Sequence, residues 1–218
     1  PGGGTAVGLQ RHEIWVDLGL SGLTKWLGGP WFPGTTLRGM LVDIADWGDG
    51  GFAPLLLDDV LRVLDSPLPV RTVDTVLCAA LGRGYGPDVD GPGLLREIAD
   101  VCVERLRRDD PSFVPALPGP SVYGVFEGEV LGRLAEVAPA VREAVARAPF
   151  RDVPDVVGSL ERFVTEVDPE LGFRLFLRVL KVYAVPVGAS RREGYLSLGE
   201  RFGWHEDVVD DGNLAVLG

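Results

Sequence analysis

Apolar residues recur at intervals of three and four along almost the whole chain, and this periodicity constrains the fold more than any other feature of the sequence. Such spacing lines up side chains on one stripe of a helix, whereas a half-buried strand needs an alternation of two. Read this way, the sequence predicts helices at 36–46, 55–65, 71–82, 93–108, 125–137, 139–148, 153–167, 171–184 and 191–201. The breaks fall where glycine and proline gather: LGGPWFPG at 27–34, GRGYGPDVDGPG at 82–93, PSFVPALPGP at 111–120 and AVPVG at 184–188. Clear two-residue alternation is missing. The expected fold is all-α, with helical hairpins packed as an array or bundle.

Residues 1–34 read as an irregular, Trp-rich N-terminal segment, and 35–218 as a single all-α domain. Glycines weaken any helix in the first segment, while Trp15, Trp26 and Trp31 demand packing against something. Its first ten residues, PGGGTAVGLQ, lack an initiator Met, a basic region and an apolar signal core, and are expected to be loosely held. The stretch LGFRLFLRVLKVYAV at 171–185 is interrupted by Arg174, Arg178 and Lys181, so no membrane span is expected. At helical spacing those three cations share a face beside Phe173, Phe176, Leu177 and Leu180. This predicts a core helix whose basic edge pairs with acidic neighbours. Cys78 and Cys102 both sit in apolar helical runs, which points to buried thiols rather than a disulfide, and to a cytoplasmic protein.

Thirty-two acidic residues against twenty-one basic ones leave a net charge of −11. Phosphate recognition needs basic surface, so nucleic acid and anionic membrane are poor partners and a basic protein is the natural one. The densest candidate partner-binding carboxylates are Asp58 and Asp59 in LLLDDVLRV, and Glu206, Asp207, Asp210 and Asp211 in HEDVVDDGN. The second cluster ranks higher because no basic residue follows Arg201. If these groups are exposed, neutralising them should slow association and leave stability alone. Nothing in the sequence specifies an oligomeric state.

Signatures of catalysis are missing. His12 and His205 are isolated, and there is no HExxH helix, GxSxG turn, Walker loop or GxGxxG motif. The tail DVVDDGN lacks the alternating ligand spacing of a calcium loop. No catalytic residue, metal site or cofactor is expected.

The stretch DWGDGGF at 46–52 reads as a helix C-terminus and tight turn, with Gly50 or Gly51 at positive φ and Trp47 and Phe52 packed inward. Phe52, Phe113 and Phe173 lie at near-equal spacing, each with an acidic residue three positions earlier: Asp49, Asp110 and Glu170. This pattern hints at a repeat and resembles the helical pairs of terpenoid cyclases and protein prenyltransferases. That resemblance implies an α/α toroid around an isoprenoid pocket. The DxDD and DDxxD motifs of those cyclases are absent, and the nearest acids, Asp88 and Asp90, Asp58 and Asp59, and Asp207, Asp210 and Asp211, have other spacings.

A second resemblance covers residues 41–135. DWGDGGF, VLRVLDSPLPVRT at 60–72, ADVCVERLRRDDP at 99–111 and VFEGEVLGRL at 125–134 look like the successive landmarks of contact-dependent growth-inhibition immunity proteins. The loop after Gly86 and the Pro-rich segment after Pro111 are longer than that pattern. The resemblance implies a non-catalytic bacterial protein that binds and neutralises a toxin. The alternative is the α/α-toroid enzyme acting on isoprenoid substrates. A toroid should enclose a wide, aromatic-lined cavity with a carboxylate at its base; an immunity protein should be filled, with its acids outside.

Overall fold

A computed structural model of the chain describes residues 16–29, 34–84, 89–148 and 153–217. The expectations for the first ten residues, His12, Trp15, Trp31, Asp88 and the chain just after Gly86 lie outside the described residues. Among those described, ten α-helices follow in order: α1 Gly19–Gly28, α2 Leu37–Asp46, α3 Phe52–Asp65, α4 Val70–Leu81, α5 Gly91–Asp109, α6 Glu127–Arg147, α7 Val156–Glu166, α8 Pro169–Val182, α9 Ala189–Arg201 and α10 Glu206–Val209. The strands β1 Val187–Gly188 and β2 Val216–Leu217 form one short parallel pair, with Val187 opposite Val216. The fold is all-α, an array of packed helices.

Local chemistry sets the helix starts. Thr36 Oγ1 accepts from Gly39 N at the start of α2, and the Asp90 carboxylate accepts from Gly93 N at α5. Asp168 does the same for Glu170 N and Leu171 N at α8, where Pro169 occupies the first turn and has no N–H to satisfy. Gly82 ends α4 in the left-handed conformation, φ 71°.

The centre of the array is α8, whose residues 169–181 are all buried. On one side α1 and α4 join it to a unit made of α2, α3 and α5; on the other, α6 and α7 cover it, and α10 closes one end. Phe173 packs on Phe176, Tyr195, Phe202 and Trp204, with ring centroids 5.8 to 6.1 Å apart. Among the described residues, α8 and these rings pack together at the centre of the array.

Three expectations change. Residues 19–28 are not irregular: they form α1, with Leu20, Leu23 and Leu27 in the core. Its glycines, which weaken the helix in isolation, let α1 lie close to its neighbours, since a β-carbon at Gly28 would come within 2.7 Å of the Leu81 carbonyl oxygen. Trp26 is exposed rather than packed. Next, 125–137 and 139–148 are not separate helices. Pro139 lies inside a continuous α6 on its exposed side, while Val137, Ala138 and Val141 are buried. The burial of that stripe outweighs the loss of one hydrogen bond, which water can replace on the outer face. Finally, the three phenylalanines are not equivalent. Phe52 opens α3, Phe113 lies in an irregular segment and Phe173 sits within α8, so they mark no common repeat.

The DWGDGGF stretch ends α2 and starts α3. Gly48, Asp49 and Gly50 all have positive φ, at 60°, 54° and 84°, whereas Gly51 has φ −63°. Phe52 is buried as expected; Trp47 is half exposed and covers Phe52 edge-on at 5.7 Å. Arg105 of α5 clasps the turn, donating to the Asp49 carbonyl at 2.7 Å and pairing with Asp46 at 2.6 Å. A β-carbon at Gly50 would collide with that guanidinium. Gly50→Ala is therefore expected to lose about 1–3 kcal/mol in urea denaturation, from backbone strain and displacement of Arg105. The same change at Gly51 carries no φ penalty, and equal losses at both positions would contradict this reading of the turn.

Candidate functional site

Acidic residues in this protein divide into those that fix the core and those left at the surface. Arg174, on α8, is fully buried and all its nitrogens are engaged. Nε and Nη2 donate to Glu170, one turn earlier, at 3.0 and 2.9 Å. Nη2 and Nη1 donate to the two oxygens of Asp59 on α3, at 2.8 and 2.9 Å, and Nη1 also reaches the Leu18 carbonyl at 2.8 Å. Asp59 accepts in addition from Leu20 N at 2.8 Å, and Glu170 from Trp204 Nε1 at 2.8 Å. Burial pushes the Asp59 carboxyl up and Glu170 adds to this, with Arg174 opposing; burial works against the Arg174 charge, yet Asp59 and Glu170 raise its pKa well above the ordinary value. Gly19, at φ 55°, leaves room for the network, because a β-carbon there would overlap Asp59. The cluster is buried and ties together α1, α3, α8 and the Trp204 turn.

Asp59, expected at a partner surface, is thus a core residue. Asp58 beside it is partly exposed and pairs with Arg62 at 2.9 Å. The C-terminal cluster divides in the same way. Asp211 pairs with Lys25 and, at 3.2 Å, with Lys181, and Asp210 pairs with Arg192 at 2.5 Å; both carboxylates are largely covered. The absence of basic residues after Arg201 was misleading, because the cations come from α1, α8 and α9. Glu206 is exposed, and Asp207 is partly exposed with its carboxylate 3.4 Å from His205 Nδ1. Of the six residues, Glu206, Asp207 and Asp58 offer charge to solvent.

On the basic edge of α8, Arg174 and Lys181 pair with carboxylates as expected, whereas Arg178 meets a backbone carbonyl instead. Arg174 binds Asp59 and Glu170, Lys181 binds Asp211 and donates to the Val208 carbonyl at 3.0 Å, and Arg178 donates to the Ala80 carbonyl at 3.4 Å. Burial lowers the Arg178 pKa, with Asp17 and Asp211 opposing. Cys78 and Cys102 are buried thiols with no disulfide, and burial pushes the Cys102 thiol up to about 12.

Glu206 belongs to a cleft between α9 and α10, with a volume of about 470 Å³. Trp204, Leu196 and Val209 supply its apolar lining, and Glu193, Glu200, Ser197 and His205 its polar rim. Glu200 and Glu206 make no ion pair among the described residues, and Glu193 pairs with Arg192 at 3.0 Å. An apolar floor under a carboxylate rim suits the stem and head of a lysine or arginine side chain. Among the described residues no group of three or more His, Cys, Asp or Glu is placed to hold a metal ion, and no helix is long and apolar enough to cross a membrane. The sequence hides this cleft because Glu193 and Glu200 lie a loop and a helix away from Glu206. Their spacing of seven on one helix is the signal that could have joined them.

Asp211 provides a pH-dependent test. Burial opposes its ionisation, but Lys25 and Lys181 outweigh that and hold the carboxyl well below the ordinary carboxylate range. A depressed folded-state pKa contributes stability that is present above the unfolded value near ~3.9 and is lost as pH falls through the folded one. Asp211→Asn is expected to lose about 2–4 kcal/mol at pH 7, since Lys181 keeps a buried ammonium without its carboxylate. Its stability should also fall less steeply below pH ~4. An unchanged urea midpoint at pH 7 would show that the pair adds nothing.

Comparison of the chain with protein families, with curated proteins and with solved structures finds no match.

Proposed function

We propose that this chain is a non-catalytic binding protein that neutralises a basic, toxin-like protein partner, as an immunity protein does. The observation that carries this reading is the cleft at Trp204, where an apolar floor is rimmed by Glu193, Glu200 and Glu206. A lysine or arginine of the partner would lay its methylenes on Trp204 and place its charge among the carboxylates. Where the partner is a nuclease, such groups can stand in for nucleic-acid phosphates. The net charge of −11 favours the same encounter at long range, because an acidic surface accelerates association with a basic one.

The interior supports a binding role. The buried carboxylates Asp59 and Glu170 are occupied by Arg174, and the aromatic rings pack on one another around α8. An isoprenoid-processing toroid, the alternative drawn from the sequence, requires an open apolar interior in that position. A core tied by buried ion pairs, with Glu200 and Glu206 making no ion pair among the described residues, suits a protein that covers a partner's site.

The test is co-expression with a basic toxin domain encoded beside this gene, followed by stopped-flow association of the purified pair. The chain is expected to protect cells. The triple variant Glu193→Gln, Glu200→Gln, Glu206→Gln is expected to associate about tenfold more slowly at low salt, with its melting temperature nearly unchanged. Equal cell death with and without this chain, with no complex recovered, would overturn the reading.

A further inference from the structure

Residues 111–126, PSFVPALPGPSVYGVF, carry no charge in a chain that is 24% charged. They cross the surface between α5 and α6 as a strap, without helix until a 3-10 turn at Gly124–Phe126. The strap is held at three places. Phe113 N donates to the Asp110 carbonyl at 2.9 Å, and the Phe113 carbonyl accepts from Arg107 Nε at 3.1 Å. The Gly119 carbonyl accepts from Arg62 Nη1 at 3.0 Å, and Phe126 N donates to the Tyr123 carbonyl at 2.9 Å. Phe113, Tyr123 and Phe126 turn inward against the core.

The aliphatic residues between them turn outward. Val114 is 73% exposed, Leu117 67%, Val122 78% and Val125 86%. Single exposed aliphatic side chains are ordinary, but four along one sixteen-residue strap are more than folding alone requires.

The rings beneath the strap pack on the buried residues that back the acidic cleft. Tyr123 and Phe126 pack on Phe202 at 5.3 and 5.0 Å, and Phe202 packs on Trp204 at 5.0 Å. Trp204 lines the cleft with Glu200 and Glu206. Arg201, paired with Glu129 at 2.6 Å, lies over the Phe126 ring at 4.6 Å, so the strap meets the end of α9 that carries Glu200. Exposed acids also bracket the strap in sequence: Asp109 and Asp110 precede it and Glu127 follows.

We propose that the strap and the cleft form one recognition face, whose occupant is a basic protein surface with an apolar centre. An apolar group of the partner would rest on Val122 and Val125 while its lysine or arginine side chains reach Glu200 and Glu206. This rests on the reading of the chain as a binder of a basic partner, and adds the apolar half of the recognition. A second copy of the chain is the poorer occupant, since it would bring carboxylate rims against each other.

The test titrates the full-length, ¹⁵N-labelled chain with a synthetic amphipathic helical peptide of leucine and lysine, and with a leucine–glutamate peptide of the same pattern. Saturable shifts are expected at Val122, Val125, Glu200 and Glu206 with the first peptide only. Val122→Ser with Val125→Ser should weaken binding about tenfold, from lost apolar burial, without changing the melting temperature. Glu200→Gln with Glu206→Gln should weaken it similarly and flatten its salt dependence. Binding that tolerates the serine pair but not the glutamine pair would overturn the role of the strap and leave the basic-partner reading standing. Equal binding of both peptides, or no binding of either, would overturn the shared face. So would dimerisation in sedimentation that the serine pair abolishes, because it would assign the patch to a second copy.

Discussion

The structure depends on a guanidinium placed where water cannot reach it. Arg174 is fully buried in the central helix, and an unpaired charge there would be untenable. Glu170, from the preceding turn, and Asp59, from α3, supply its counter-charges, and the Leu18 carbonyl takes a further N–H. Each of these partners fixes an element against α8. Because Glu170 also accepts from Trp204, the same network anchors the turn that floors the acidic cleft. The candidate binding surface is in this way tied to the core by a short chain of hydrogen bonds.

The helices were largely legible because burial follows periodicity. Helices α2 to α5 and α7 to α9 lie close to where apolar spacing puts them. Helix α1 was hidden by Gly19, Gly22 and Gly28, which argue against a helix locally but permit the close packing that makes one in the fold. Pro139 concealed the continuity of α6, since a local rule about proline carries no information on the stripe buried across it.

The site was less legible, for a reason of distance along the chain. Asp59 meets Arg174 across 115 residues and Lys25 meets Asp211 across 186, so no local pattern shows which carboxylates are already paired. Charge density in the sequence overcounts the acids exposed around Glu206, because Asp210 and Asp211 are already paired. The hydrophobic strap shows the converse. Its prolines and missing charge were visible as a break between helices, while its outward-facing valines emerge only once Phe113, Tyr123 and Phe126 are seen to turn inward.

The claim that Arg174 and Asp59 hold the central helix in place is tested most directly by a double-substitution cycle measured by urea denaturation at pH 7. Arg174→Met and Asp59→Leu are each expected to lose about 3–5 kcal/mol, since the first strands two buried carboxylates and the second leaves the buried guanidinium with Glu170 alone. The double variant should lose much less than their sum, giving a coupling of about 2–3 kcal/mol. Additive losses, or single losses below about 0.5 kcal/mol, would contradict the claim.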